Sequence, residues 1–346
     1  MKKILPLLFS AALFSCQNSA DEITGNSNLL TAIGRYENTP DGVKMYSAGG
    51  YFTFAFQGKN CELTVLNDGD FDHSFLDLIV DDDKPQKFRV GRGDTTFVIT
   101  KKDDKLHHVM LCRDSETMMS FTQIKKVKAD KISAWTPETS LKIEFIGNSI
   151  TSGCDCDTSL VSQKDYQWGD WHRAYYAYGP QTARNLNAQY SLASVSGIGL
   201  IHSCCDNPFT MPQIYDNVKM RYDTIPYDFS FKPDLICCCL GQNDGIQDNE
   251  TFISAYTAFV KMLKEKNPSA KNIVLLNSPM ANDSLNTWLQ EILPQVVDRL
   301  TKDGVTGVKN FELPHNKNAG GSMHPDILQH GEIAKELTEF LKKEVL

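Results

Sequence analysis

Residues 143–151 place a serine where nucleophilic chemistry can occur. The segment begins with an apolar run that is typical of a buried parallel strand, and Ser149 follows where the chain turns out of the predicted sheet. Such a hydroxyl becomes an acyl-transfer nucleophile when a base takes its proton, donors hold the oxyanion and a third group orients the base. The rest of the chain must supply those groups.

Candidates for the base and for the oxyanion donors occur further along the chain. His324 lies in the loop segment 321–325, just before a final helical stretch. Two more stretches, residues 196–199 and 240–245, each follow a strand-like run. Because ligands of parallel sheets bind at the carboxyl ends of the strands, these loops are expected to meet around Ser149.

Taken in order, Ser149, Gly197, Asn243 and His324 resemble the four sequence blocks of the SGNH (GDSL-like) hydrolases. The order and spacing of all four make the resemblance specific. It implies that Ser149 is the nucleophile and that His324 is the general base and later the acid. It also implies that the oxyanion is held by the main-chain N–H groups of Ser149 and Gly197 and by the side-chain amide of Asn243. This scheme requires no metal and no cofactor.

Two different patterns surround these blocks. Residues 34–134 contain short alternating runs separated by turn signals and no helical period, which predicts an antiparallel β-sandwich of jelly-roll type. Residues 135–140 are a short linker. From residue 141 to 346, strand-like runs alternate with helical stretches, as in a parallel sheet wrapped by helices. The strands are predicted at 141–146, 190–195, 234–240, 273–277 and 307–311, and the helices at 179–186, 252–264, 285–300 and 326–343.

The order of a β-sandwich followed by an α/β/α SGNH domain resembles the second family of carbohydrate esterases, over nearly the whole mature chain. The stretches that carry this resemblance are residues 178–184, 196–199, 227–230, 232–234 and 240–244. Enzymes of this family are acetylxylan esterases and sugar 6-O-deacetylases. The resemblance implies an esterase that removes O-acetyl groups from plant-type polysaccharides or oligosaccharides, such as xylan or glucomannan, through an acetyl-serine intermediate.

Three positions depart from the usual pattern. Gly321 stands where most SGNH enzymes have an aspartate that orients the histidine, Asn148 replaces an aspartate, and Gln242 replaces a threonine. Some members of the second esterase family lack the acid and work as a Ser-His dyad with the histidine oriented by main chain. Either a backbone carbonyl orients His324, or the site is inactive, or a carboxylate arrives from elsewhere, the candidates being Asp155, Asp157 and Asp244.

An aromatic segment offers a second kind of site. Trp168, Trp171 and Tyr175 are candidates for a platform on which sugar rings stack, and packing explains them equally well. His330 is expected on the surface of the last helix. Two other functions stay open: a glycan-binding protein on a hydrolase scaffold, or an SGNH esterase that acts on a lipid or another ester.

The N-terminus predicts export. Lys2 and Lys3 precede an apolar run at 4–14, which is typical of a secretory signal and too short to span a membrane as a helix. The segment 1–16 ends at Cys16 in a way that resembles a lipobox, which implies lipidation of that cysteine. Residues 17–33 would then be a tether. We expect an outer-membrane or cell-surface lipoprotein, or otherwise a periplasmic or secreted protein, whose only membrane contact is this anchor.

The net charge of the chain indicates which kinds of partner the protein does not bind. The 346 residues carry a net charge of −8 without clustered lysine and arginine, which argues against binding of nucleic acid.

Nine of the ten cysteines remain after Cys16, so at least one thiol stays unpaired within the chain. Residues 237–239 are three cysteines in a buried strand pattern and are expected to pack as small hydrophobes. A zinc site is not expected from the spacing. Disulfide candidates near the site are Cys154, Cys156, Cys204 and Cys205.

Overall fold

A computed structural model describes residues 20–221, 225–315 and 323–346. The predicted signal segment 1–16 with Cys16, and Gly321, lie outside the described residues. The strands of the N-terminal part are β1 Asp21–Thr24, β2 Thr31–Ile33, β3 Tyr36–Thr39, β4 Gly42–Met45, β5 Tyr51–Asp68, β6 His73–Val80, β7 Gln86–Gly91, β8 Gly93–Thr100, β9 Leu106–Arg113 and β10 Phe121–Ser133.

The C-terminal part alternates strands and helices. Its strands are β11 Leu141–Gly147, β12 Ala188–Ser194, β13 Leu235–Cys239, β14 Asn272–Leu276 and β15 Val308–Phe311. Its helices are α1 Ser149–Ser152, α2 Tyr178–Asn185, α3 Met211–Ile214, α4 Asn249–Lys266, α5 Asp283–Lys302 and α6 Ile327–Glu344. Within the described ranges, none of the helices is both long and apolar enough to cross a bilayer.

The N-terminal strands pair antiparallel and enclose one apolar core. The 18-residue strand β5 pairs with β2, β8, β9 and β10, so the sheet folds around it. Phe52, Phe54 and Phe56 point from β5 into the core, as period-two alternation requires. Tyr51 points the other way and lies against the β12 ring of Tyr190, with 5.1 Å between ring centroids. The predicted sandwich is therefore confirmed, and one of its faces packs on the second domain.

The tether predicted at 17–33 is not what the structure shows for residues 21–33. β1 pairs with β10, and β2 pairs with β5. The Asp21 carboxylate also accepts the N–H of Ile132 at 3.1 Å. Strands of three or four residues gain stability from the backbone groups of their neighbours and not from a hydrophobic repeat of their own. Such a segment therefore looks like a linker in the sequence.

The C-terminal part is a five-stranded parallel sheet in the order β12-β11-β13-β14-β15. Helices α2 and α6 cover one face, and α4 and α5 cover the other. All the predicted strands and helices of this domain are present, which confirms the α/β/α arrangement. In β13, Cys237 and Cys239 face one layer of helices and Cys238 faces the other. Burial raises the pKa of all three thiols, in keeping with their prediction as packing residues.

Charged side chains join the two domains. Arg173 lies between β11 and α2 and donates two hydrogen bonds to the Asp77 carboxylate of β6, at 2.9 and 2.8 Å. Arg35 lies in the N-terminal domain and donates to the backbone oxygen of Tyr215 at 2.6 Å. Its guanidinium also lies 3.4 Å from the Glu144 carboxylate of β11. These buried contacts fix how the sandwich sits on the second domain.

Candidate active site

Ser149 is the first residue of α1, directly after β11. Asn148 caps this short helix, because its side-chain oxygen accepts the N–H of Ile150 at 3.1 Å. A Cβ at Gly147 would lie 2.1 Å from Thr151 Oγ1 and 3.0 Å from the Cys239 carbonyl oxygen, so a larger residue there would displace the Thr151 side chain. The sequence segment that predicted a serine at the sheet edge therefore forms a strand, a tight turn and a helix start. Ser149 is 8% exposed there.

His324 lies against this serine. Its Nε2 atom is 2.8 Å from Ser149 Oγ, within the distance at which a general base takes a hydroxyl proton. The segment around it is held from both sides. Met323 has a φ of +69°, which is uncommon for a residue with a side chain. Asp326 begins α6 with a reciprocal capping box to Gln329. The imidazole is thus positioned by backbone geometry on either side of it.

The predicted oxyanion donors lie at neighbouring strand ends. Gly197 follows β12 with a φ of +77°, where a Cβ would come within 3.2 Å of the Cys204 carbonyl oxygen. Asn243 follows β13, and its Nδ2 donates one hydrogen bond to the Ile198 carbonyl oxygen at 2.7 Å. An amide has two N–H bonds, so the second is available to a ligand. The Ser149 N–H is in the first turn of α1, where backbone donors have no partner within the helix.

The three carboxylates considered for orienting His324 have different neighbours. Asp244 accepts the backbone N–H groups of residues 200, 201 and 202 at 2.7–3.0 Å and so holds the loop that carries Gly197. Asp157 accepts from Arg173 at 3.1 Å. Asp155 lies close to the base: a carboxylate oxygen, a ring nitrogen of His324 and the Cys154 sulfur are all within 4.8 Å of one another. Among the three, Asp155 is therefore the candidate partner of His324.

The serine and the histidine open onto a cavity of about 580 Å³. Gly197, Gln242, Asn243 and Trp168 line it together with Ser149 and His324. The N-terminal domain also contributes, through Phe71 and Met118. Phe71 lies 5.6 Å from the Trp168 ring, centroid to centroid, so one aromatic wall comes from both domains. Sequence reasoning missed Phe71 and Met118, because nothing in the strand pattern around them indicates contact with a distant loop.

The three rings considered for a sugar platform lie in different surroundings. Trp168 lines the cavity, but Trp171 and Tyr175 do not. Trp171 is 7% exposed, donates its indole N–H to the Val161 carbonyl oxygen at 2.7 Å and packs on Tyr166. Tyr175 belongs to the core beneath α2. For these two rings the packing interpretation applies, because their neighbours enclose them.

His330 was expected on the surface of the last helix, and the structure differs. The side chain is fully buried, and its Nδ1 accepts the N–H of Tyr178 at 3.2 Å. Burial and, to a smaller extent, the nearby His324 together lower the pKa of His330 to about 3. His330 is therefore a neutral packing residue near His324, since its α6 position faces α2.

A disulfide joins the adjacent residues Cys204 and Cys205 in the cavity wall. The Cys204 sulfur is 3.5 Å from Asn243 Oδ1, so the bond lies beside a predicted oxyanion donor. Cys154 and Cys156, the other two candidates for a disulfide, are free and buried. The sequence placed all four near the site but left their pairing open.

Two groups of side chains within the described residues have donor atoms close enough to hold a metal ion. They are Glu116 with Cys154 and His172, and Cys154 with Asp155 and His324. Burial raises the pKa of the shared Cys154, which disfavours the thiolate that a metal prefers. Glu116 already accepts hydrogen bonds from Ser196 and faces His172. These donors therefore form a hydrogen-bonded cluster, and the Ser-His scheme draws on no ion.

Both parts of the chain are similar to known carbohydrate esterases. Residues 32–138 match the family model described as carbohydrate esterase 2 N-terminal. The chain is 25% identical to an acetylxylan esterase / glucomannan deacetylase of Cellvibrio japonicus, over 370 aligned positions that cover 99% of each chain. It is 26% identical over 325 residues to the cellulase/esterase CelE of Acetivibrio thermocellus, covering 90% of this chain but only 39% of that longer relative.

Two solved structures have a similar fold. A family two carbohydrate esterase from Cellvibrio japonicus has a TM-score of 0.84 at 24% identity, covering 94% of this chain and 98% of the other. A family two carbohydrate esterase from Clostridium thermocellum in complex with cellohexaose has a TM-score of 0.82 at 25% identity, covering 91% and 98%. These likenesses confirm the resemblance to the second family of carbohydrate esterases that the domain order and the sequence stretches indicated.

Proposed function

We propose that this chain, which resembles family two carbohydrate esterases across both of its domains, removes O-acetyl groups from plant-type polysaccharides or oligosaccharides such as xylan and glucomannan. One observation carries the proposal. Ser149 Oγ lies 2.8 Å from His324 Nε2 in a cavity that Gly197 and Asn243 also line. A nucleophile, a base and candidate oxyanion donors converge there, and the fold around them is shared with esterases of this family.

The chemistry would run in two steps. His324 takes the Ser149 proton while the serine oxygen attacks the acetyl carbonyl, and the negative oxygen is held by the N–H groups of Ser149 and Gly197 and by the Asn243 amide. His324 then gives its proton to the sugar oxygen, which leaves, and acetyl-serine remains. Water, deprotonated by His324, releases acetate and restores the serine. Each oxyanion donor typically contributes about two to three orders of magnitude in rate.

The cavity supports a sugar substrate more than a lipid. The Phe71 and Trp168 rings offer faces for stacking, and the polar groups Asp155, Gln242 and Arg221 lie on the same surface. A long acyl chain would cover Gln242 and Arg221 without offering them hydrogen bonds. A binding role without turnover is disfavoured by the hydrogen-bonding distance between Ser149 and His324, which binding alone does not need.

The substrate class is tested with wild-type protein on a panel of esters. We expect acetate release from acetylated xylan and acetylated glucomannan, and slow or no hydrolysis of a long-chain 4-nitrophenyl ester. Hydrolysis of 4-nitrophenyl acetate shows whether the serine reacts with a small acetyl ester that carries no sugar. If the long-chain ester is turned over faster than the polysaccharides, the lipid interpretation replaces ours. If no ester is cleaved but acetylated glycan binds, the protein is a glycan-binding protein.

We also propose that the protein is exported and held at the outer membrane or cell surface by a lipid on Cys16. The support is the sequence alone: two lysines, an apolar run and a lipobox-like end within residues 1–16. Expression of the full chain with Cys16→Ser should move the protein from the membrane fraction to the soluble fraction. If wild type and Cys16→Ser distribute equally between the two fractions, lipid anchoring is contradicted and simple secretion remains as the explanation.

A further inference from the structure

One loop of the N-terminal sandwich reaches the candidate active site. It comprises residues 114–120 between β9 and β10, and all of them are buried or half-buried. Arg113 holds its shape by donating to the backbone oxygens of Glu116 and Ser120 at 2.9 and 2.8 Å. The Thr117 hydroxyl donates to the backbone oxygen of Lys219 at 2.6 Å, which fastens the loop to the second domain. The loop therefore presents its side chains in a fixed orientation.

Glu116, in the middle of this loop, binds the residue that precedes Gly197. One carboxylate oxygen accepts the Ser196 N–H at 2.8 Å, and the other accepts the Ser196 hydroxyl. The glutamate side chain is fully buried, so both bonds are shielded from water. Hydrogen bonds to a charged acceptor are about twice as strong as neutral ones. The next peptide plane after Ser196 carries the Gly197 N–H, so fixing Ser196 fixes the direction of that donor.

A histidine completes the cluster. His172 Nε2 lies 3.2 Å from Glu116 Oε1, and its Nδ1 lies 3.5 Å from Asp155 Oδ1. Burial alone would lower the pKa of His172, but Cys154, Asp155 and Glu116 raise it well above the usual value. A protonated imidazole between two carboxylates offsets the cost of burying the Glu116 charge. Asp155, at the far end, is also the carboxylate close to His324.

We propose that Glu116 is a positioning residue for the esterase reaction, through which the N-terminal domain aims the Gly197 N–H at the oxyanion. The inference rests on the proposed function. Oxyanion donors are effective only when they point at the position where negative charge develops. The hydrogen bonds from Ser196 to Glu116 cross the domain boundary. The sandwich thus contributes to turnover as well as to stability and to the cavity wall.

Glu116→Gln tests this role, because it keeps the side-chain shape but removes the charge and one acceptor. We expect kcat on acetylated xylan and on 4-nitrophenyl acetate to fall about 10- to 100-fold, with KM changed less than about threefold, since the donor acts in the transition state. Thr117→Val is the matched control. It removes a cross-domain hydrogen bond of the same loop without touching Ser196, and we expect it to keep the wild-type kcat because Arg113 still holds the shape of the loop.

Two further measurements separate positioning from folding. Ser196→Ala removes only the hydroxyl contact and should lower kcat less than Glu116→Gln, and the double variant should lose no more than Glu116→Gln alone. The NMR titration of His172 should show a lower pKa in Glu116→Gln than in wild type, whatever the activity. If Glu116→Gln does not fold, a normal kcat for Ser196→Ala overturns the proposal.

The outcomes also distinguish this proposal from the function on which it rests. An active wild type with an equally active Glu116→Gln overturns the positioning role and leaves the esterase intact. Equal losses in Glu116→Gln and Thr117→Val overturn it as well, since the loop would then act through general stability. A wild type that cleaves no ester contradicts the proposed function itself, and the positioning role falls with it.

Discussion

Among the three carboxylates considered, Asp155 is the one that lies close to His324. The position that usually carries the acid is Gly321, and a glycine has no carboxylate to offer. The Asp155 carboxylate lies within 4.8 Å of a ring nitrogen of His324, whereas Asp244 binds backbone N–H groups and Asp157 binds Arg173. A negative charge at that distance favours the imidazolium that forms when Ser149 is deprotonated.

Asp155→Asn should therefore lower kcat by about tenfold or more, because the amide cannot stabilise the imidazolium by charge. Asp157→Asn is the matched control, since it removes a carboxylate that lies two residues away in the chain and faces Arg173. Steady-state hydrolysis of 4-nitrophenyl acetate across pH measures both. An Asp155→Asn enzyme with the wild-type kcat at every pH would mean that main chain alone orients the base.

At the scale of elements, the last helix carries a pH-sensitive group. His330 of α6 is buried and neutral, with its pKa lowered to about 3, whereas an unfolded chain protonates histidine near pH 6.5. Between those values the unfolded state binds more protons than the folded state. The free energy of unfolding therefore falls as the pH falls through this window.

His330→Asn tests this linkage, since the asparagine oxygen can still accept the Tyr178 N–H. Between pH 6.5 and pH 5, protonation of His330 in the unfolded chain should lower the free energy of unfolding of wild type by about 2 kcal/mol. The variant lacks this group, so its free energy of unfolding should fall correspondingly less. Urea unfolding at the two pH values gives the difference. The same loss in both proteins would show that His330 does not titrate on unfolding.

The elements themselves were largely predictable, and the exceptions have physical causes. The strands and helices after residue 141 follow from hydrophobic periodicity, because each buries one face or both. The short strands β1 and β2 have no such repeat. Around the site, Asp155, Cys205, Asp206 and Met323 adopt positive φ values without being glycine. Strain of this kind is imposed by tertiary contacts and leaves no signal in the sequence.

At the scale of the whole molecule, the candidate site is built at the junction of two domains. The four blocks predicted Ser149 and His324 close together because strand ends meet at one edge of a sheet. Phe71 and Glu116 could not be predicted in this way. They lie in loops of the sandwich, and their approach to the site depends on how one domain packs on the other.

The contact between Asp77 and Arg173 should be a large part of that packing. Asp77 is fully buried and Arg173 nearly so, and removing one partner of a buried pair leaves an uncompensated charge. We expect Asp77→Asn to lower the free energy of unfolding by about 2–3 kcal/mol, less than the full penalty because Arg173 keeps Asp157.

Glu250→Gln is the control for this change. Arg299 also binds Glu250 through two nitrogens, Nη1 at 3.1 Å and Nη2 at 3.0 Å, but both side chains are exposed, so little stability should be lost. Urea unfolding compares the two variants directly. A loss in Asp77→Asn no larger than in Glu250→Gln would mean that this domain contact contributes little.

The central claim is that Ser149 is the nucleophile of an esterase, and acetate release from acetylated xylan tests it most directly. Ser149→Ala should lower the rate at least about 10³-fold. Ser152→Ala, three residues on in the same helix, removes a buried hydroxyl that donates to Ser194, and it should stay within a few-fold of wild type. Acetate release by Ser149→Ala at the wild-type rate would contradict the claim.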